Sequence, residues 1–267
     1  MAAMSKTGDT GRMQNAQTFS VRRRGAFLAF SFAVAAQFVA VGERASAAES
    51  ALTGFGAAGG APQAPWHVQG LPQQGSKPLT RFSVVDLDGK RAVKIEADES
   101  YANLVHPLSP ISLAHLAWQW RVEKPLDTSD LRSRSGDDTV IKVCVFFDMP
   151  IDNMSFTDRQ LLRLARSKTT DFQPTATVCY VWDTQLPIGT TLDNVFTRRV
   201  RYVVLQSGND KLNHWIAEKR DISADFLKLF GDESKTVPPV LGVSVGADSD
   251  NTKGHTISYV SGVVLEP

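Results

Sequence analysis

Gly136-Asp137-Asp138 runs straight into Thr139-Val-Ile-Lys-Val-Cys-Val-Phe-Phe147, and the run stops at Asp148-Met149-Pro150. With a side-chain period of two, Ile141, Val143, Val145 and Phe147 fall on one face, while Val140, Cys144 and Phe146 make the other face apolar apart from Lys142. A strand that is apolar on both faces is a central strand, covered from both sides. Two adjacent carboxylates, Asp137 and Asp138, stand at its mouth, and that end of the strand is the place to look for chemistry.

The flanking sequence is also β in character. Arg81-Phe-Ser-Val-Val-Asp-Leu87 and Lys90-Arg-Ala-Val-Lys-Ile-Glu96 are joined by Asp88-Gly89, which tolerates the positive φ that a two-residue hairpin turn requires. Leu116 to Val122 places Trp118, Trp120 and Val122 on one face. Further strands are expected at Ala176–Trp182, Arg199–Gln206, Val240–Val245, Thr256–Val260 and Val263–Leu265. After the central strand comes one amphipathic helix running to about Ser167. Thr157 with Gln160 fits a capping box, Phe156 with Leu161 a hydrophobic staple, and Leu161, Leu162, Leu164 and Ala165 an apolar stripe opposite Arg159, Arg163 and Arg166. A shorter helix is expected over Asp225–Phe230, capped by Ser223 and stopped by Gly231. Many short strands without strand-helix alternation predict an all-β fold, an antiparallel jelly-roll-like β-sandwich with one or two short inserted helices over residues 76–267.

The amino terminus carries a different signal. Arg22-Arg23-Arg24 precede an apolar run from Ala26 to Val41, and Ala45-Ser46-Ala47 follows, which together form a three-part secretory signal over residues 1–47 with cleavage after Ala47. The run contains Gln37 and falls short of the ~20 residues that span a bilayer, so no stable membrane insertion is expected after processing. Residues 48–75, rich in Ala, Gly, Pro and Gln, read as a flexible linker with one possible early strand around Trp66-His67-Val68. The expected destination is the periplasm or the exterior.

The chain has 267 residues and a formal charge of +1, but six basic side chains lie before position 48 against Asp9 and Glu43. The remainder holds 23 basic and 26 acidic side chains, a charge of −3. A mildly acidic body without a basic stripe argues against nucleic acid as a partner.

Trp118-x-Trp120-Arg121-Val122, Gly136-Asp137-Asp138, Tyr180-Val181-Trp182, Ser207-Gly208, Arg220-Asp221-Ile222-x-Ala224-Asp225 with Phe230-Gly231, and Asp248-x-Asp250-Asn251-Thr252 follow one another in a recurring order. From about Trp66 to the carboxyl end, the chain resembles the bacterial exported proteins grouped as domain of unknown function 3047. It departs from that family at Lys142, where arginine is usual, and at Cys144, where an aromatic is common. The resemblance implies an exported soluble β-domain and no established activity.

Several constellations are candidate sites. Asp248, Asp250, Asn251 and Thr252 offer oxygen ligands of the kind Ca²⁺ accepts, but Lys253 and Tyr259 break the helix-loop-helix calcium pattern, and the same residue types build a turn without any metal. Asp137, Asp138, Asp248 and Asp250 are expected to gather at one end of the sandwich, with Arg121 or a bound cation offsetting their charge. Gly242-x-Ser244-x-Gly246 spells a nucleophile elbow, but no helix follows it. His67, His106, His115, His214 and His255 lack metal-ligand spacing. Trp118 and Trp120 read as core, leaving Trp215 as the candidate for an exposed ligand contact. Cys144 and Cys179, the only cysteines, are either a disulfide suited to an oxidising compartment or two buried thiols.

The leading functional expectation is a non-catalytic binding module for a glycan or other envelope component, with Asp137, Asp138, Trp215 and Asn251 as ligand contacts. An alternative is a glycan-cleaving hydrolase using two of Asp137, Asp138, Asp248 and Asp250. A protein-interaction domain is a third reading. No cofactor is expected unless Ca²⁺ fills the acidic turn.

Overall fold

The structure is a computed structural model that describes residues 50–71, 75–168 and 173–267, so the expected signal segment at 1–47 lies outside the described residues. In chain order the strands are β1 (His67–Gln69), β2 (Arg81–Leu87), β3 (Lys90–Asp98), β4 (Tyr101–Ile111), β5 (His115–Lys124) and β6 (Ile141–Phe147). Helix α1 (Phe156–Lys168) precedes β7 (Ala176–Asp183), β8 (Thr191–Asp193), β9 (Val200–Ser207) and β10 (Ile216–Asp221). Helix α2 (Ile222–Phe230), β11 (Val240–Asp248) and β12 (His255–Glu266) complete the chain.

Two sheets are stacked, a seven-stranded one in the order β1-β4-β11-β6-β7-β9-β8 and a five-stranded one in the order β10-β5-β12-β3-β2. The chain switches sheet at β3→β4→β5→β6 and again at β10→β11→β12, which gives the fold its jelly-roll-like character. The pairings are antiparallel except β7 with β9, which run parallel. Strand β8 causes the exception. It carries the chain back along the sheet edge, antiparallel to β9, so β9 starts again from the end where β7 began.

The alternation in β6 has the expected consequence. Ile141, Val143, Val145 and Phe147 point into the space between the sheets with Tyr180 and Trp182 of β7, and meet Trp118, Trp120 and Val122 of β5. Trp118 packs on Tyr180 with centroids 5.2 Å apart, and Trp120 on Trp182 at 6.1 Å. The β2–β3 hairpin turns at Asp88 (φ 52°) and Gly89 (φ 74°), consecutive positive φ values of the kind the turn needs.

Four local expectations are corrected. The start of α1 is capped by Ser155 rather than Thr157, since Ser155 Oγ accepts from Asp158 N at 3.1 Å and its carbonyl accepts from Arg159 N at 3.0 Å. Of the expected apolar stripe only Leu162 is buried, whereas Leu161 and Leu164 face outward. In α2 the cap is Asp221, whose side chain accepts from Ala224 N, rather than Ser223. Residues 50–71 are packed on the sandwich rather than forming a free linker. Leu52, Phe55 and Trp66 are buried in the main core, and Gly59 and Gly60 hydrogen-bond Val84 on the outer side of β2.

Candidate functional site

The outer face of the seven-stranded sheet carries a cleft of about 480 Å³. Register builds its floor. Val105, Ser244, Cys144, Cys179 and Tyr202 lie in one row across β4, β11, β6, β7 and β9. Directly paired residues point to the same side of a sheet, so this row and its neighbours (Asn103 and Lys142 on one side, Phe146, Thr177 and Val200 on the other) face the cleft together. The face of β6 opposite the core is therefore the floor of a cleft, which is why it carries Lys142 and Cys144 among apolar residues. Cys144 and Cys179 form a disulfide there, with a Cα–Cα distance of 4.0 Å. Gly246 has a steric reason to be glycine, because a Cβ at that position would lie 2.5 Å from Asn103 Oδ1 and 2.9 Å from the Ala102 carbonyl.

Two floor atoms lack a partner. Ser244 Oγ and Asn103 Oδ1 are buried and make no hydrogen bond among the described residues, although Asn103 Nδ2 donates to the Tyr101 hydroxyl at 3.1 Å. Buried polar atoms are nearly always satisfied, and each one that is not costs about 1–3 kcal/mol. Tyr101, Phe146 and Phe196 supply aromatic surface, and Gln69, Asn194 and Asn251 supply polar groups around it.

The acidic residues assemble beside this cleft but have different tasks. Asp138, Asp248 and Asp250 have carboxylate oxygens within 4.8 Å of one another, and Asp137 lines the cleft with Asp248 and Asp250. Asp138 accepts from the backbone N–H of Asn251 at 3.2 Å and of Thr252 at 2.6 Å, fastening the 249–254 turn to the loop before β6. Asp248 accepts from Thr139 N at 2.9 Å and from Lys142 Nζ at 2.9 Å, a pair buried on both sides. Burial by itself would push the Lys142 ammonium down, but the Asp248 carboxylate beside it wins and holds it charged.

Lys142 is thus the compensator that was expected of Arg121 or a cation. Arg121 instead lies on the outer face of the five-stranded sheet, bonded to Asp88 and Asn213. The alternation of β6 aims Lys142 at the carboxylates, since Asp248 ends the neighbouring strand on the same face. Asp250 is paired with Lys77 through Oδ2, while its Oδ1 is buried without a hydrogen bond among the described residues. The oxygen geometry could admit a cation at Asp138, Asp248 and Asp250, but two ammonium groups and backbone N–H groups already meet these carboxylates. Asn251 Nδ2 bonds the Asp137 carbonyl at 3.0 Å, and Thr252 Oγ1 has no partner among the described residues.

Asp137 stands apart electrostatically. Burial, then the nearby Asp248 charge, pushes its carboxyl up to about 6, against the pull of Lys142 and of the Asn194 amide, which donates at 2.6 Å. Asp138 is also raised, by burial first and Asp248 second. A carboxyl poised near neutrality in a cleft is able both to donate and to accept a proton.

Trp215 does not join this site. Its Nε1 donates to Asp88 at 3.2 Å and its ring meets Tyr259 edge-on, placing it with Arg121 on the opposite sheet, and the other four tryptophans are buried. Ser244 presents its hydroxyl from the middle of β11, where no elbow exists. The contacts missing from the sequence reading come mostly from β4. Tyr101, Asn103 and Val105 alternate with buried Ala102 and Leu104, a period-two signal that Pro107 and Pro110 interrupt. Among the described residues no helix is long and apolar enough to cross a membrane.

A family model described as "Protein of unknown function (DUF3047)" matches residues 64–264. No curated protein matches the chain. Among solved structures, the chain is similar to the xyloglucanase domain of NopAA, a type three effector from Sinorhizobium fredii, in complex with cellobiose, at 9% identity and a TM-score of 0.40, covering 75% of this chain and 92% of that one. It is also similar to endoglucanase 3 of Trichoderma harzianum, from family GH12, at 8% identity and a TM-score of 0.38, covering 76% of this chain and 98% of that one.

Proposed function

The chain belongs to the DUF3047 family, whose description assigns no activity, and we propose that it is an exported binding module whose cleft takes a glycan or another hydroxyl-rich component of the cell envelope. The observation that carries this reading is the floor of the cleft, where Ser244 Oγ and Asn103 Oδ1 are buried without partners beside Tyr101, Phe146 and Phe196. A sugar matches that combination, with hydroxyl groups to satisfy the polar atoms and C–H faces to lie on the rings. Export is supported by the three-part segment over residues 1–47 and by the disulfide, which fits an oxidising compartment. Binding without turnover leads because Asp138 and Asp248 are committed to structural contacts and Asp250 is paired with Lys77.

Titration calorimetry against cello-, laminari- and chito-oligosaccharides and muropeptide fragments tests the proposal. At least one class should bind, and Ser244→Ala and Phe196→Ala should each weaken that binding about tenfold, the order expected for one lost hydrogen bond or stacking contact. Absence of binding across the panel, or binding indifferent to both changes, overturns it.

A second reading, hydrolysis, has one observation in its favour. Asp137 is held near 6, where a carboxylic acid can protonate a leaving oxygen, and Asp250 offers an oxygen without a hydrogen bond on the same cleft. Reducing ends released from a bound oligosaccharide, and lost in Asp137→Asn with affinity retained, would establish it over simple binding.

A further inference from the structure

Helix α1 turns a face outward that solvent alone does not explain. Phe156 is 69% exposed, Leu161 54% and Leu164 55%, and Ile151 in the preceding turn is exposed as well. On a helix of 3.6 residues per turn, Phe156, Gln160, Leu164 and Leu161 fall within one arc of about 140° that also takes in Lys168 and is bordered by Arg163. The opposite side holds the helix to the body. Leu162 packs on the core, and Asp158 pairs with Arg199 at 3.3 Å. The segment from Ile151 to Lys168 has four basic side chains, Arg159, Arg163, Arg166 and Lys168, against Asp152 and Asp158, and the second of these is turned inward to Arg199.

We propose that α1 docks on an anionic bilayer surface, with Phe156, Leu161 and Leu164 entering the headgroup boundary and Arg163 and Lys168 meeting lipid phosphates. Two features favour lipid over a protein groove. The large apolar side chains are flanked by basic ones on a single short helix, the pattern of interfacial helices. On α1 itself the outward charge is also of one sign, with Asp152 of the preceding turn set against Arg159, which suits a diffuse anionic plane. Docking of this kind is reversible and sensitive to salt. It would also place the cleft beside the membrane, because Arg166 of α1 holds the carbonyl of Gln173 at 3.0 Å and Gln173 with Pro174 forms part of the cleft rim. The proposal stands independently of what the cleft binds.

The test uses full-length chains throughout, so that the apolar run at 26–41 contributes equally to each. A Leu164→Trp reporter is mixed with vesicles of phosphatidylcholine alone or with added phosphatidylglycerol, both carrying brominated acyl chains. The expected result is a blue shift and quenching with the anionic vesicles only, reversed by salt. Adding Leu161→Glu and Arg163→Glu should lower the apparent affinity at least tenfold, and the milder Phe156→Gln several-fold, without moving Tm. No shift with anionic vesicles overturns the proposal, as does a shift unchanged by these substitutions. A shift that grows with protein concentration in the absence of vesicles overturns it too, in favour of a second copy of the chain covering the helix.

Discussion

The carboxyl of Asp137 sits near 6 because burial and the Asp248 charge disfavour its ionised form. In the unfolded chain the same group titrates near 3.9, so in this window the native state keeps a proton that the unfolded state has lost. The contribution of Asp137 to stability is therefore fully present below about pH 4, declines as pH rises towards about 6, and is gone above that. A displacement of about two pH units corresponds to roughly 3 kcal/mol at most. Urea unfolding of the wild type should accordingly lose roughly 2–3 kcal/mol between about pH 4 and pH 7 relative to Asp137→Asn, which has no proton to lose. Parallel stability curves for the two proteins would mean that Asp137 ionises at its ordinary value.

Strands β6 and β7 place Cys144 directly opposite Cys179, and the disulfide closes a segment with a sequence separation of 35 that contains α1. On the chain-entropy account such a closure stabilises by roughly 3–4 kcal/mol. Cys144→Ala with Cys179→Ala should lower unfolding stability by that order, and thiol titration of the denatured, unreduced wild type should find no free thiol. Two titratable thiols would remove the bridge from the floor of the cleft. Much at this scale was legible beforehand, because β6 and β5 alternate cleanly and Asp88-Gly89 leaves the chain few other turns. The cleft was not. The sequence of β6 does not say whether its second apolar face meets another layer or an open floor, since Cys144 and Phe146 suit both. Lys142 was unreadable for a related reason, because its partner Asp248 lies 106 positions away and becomes adjacent only when β11 pairs with β6. Helix α1 misled in the opposite direction, since leucines at helical spacing announce a buried stripe whether or not a body lies there to cover it.

The two sheets are completed by residues that composition alone assigned to a linker. Leu52, Phe55 and Trp66 are buried in the main core, Trp66 Nε1 donates to the Thr53 carbonyl at 2.8 Å, and Thr53 N in turn donates to His106 Nε2 at 3.1 Å on β4. Gly59 and Gly60 each make a 2.8 Å backbone bond with Val84, and β1 pairs with β4 through His67–Gln69. The segment thus covers one edge of each sheet, at β2 and at β4, and uncovered edges invite strand pairing between molecules. Cleavage after Ala47 would spare all of this, including Ser50, whose Oγ accepts from Leu265 N at 3.2 Å. A chain beginning at Ala48 should therefore be as stable as the longer one. A chain beginning at Ser76 should lose on the order of 5 kcal/mol, since each large apolar side chain taken out of the core forfeits ~1.5–3 kcal/mol, and it should self-associate through the bared edges. Urea unfolding with light scattering on the two truncations decides the matter, and equal stability without association would return residues 50–71 to the status of a tether.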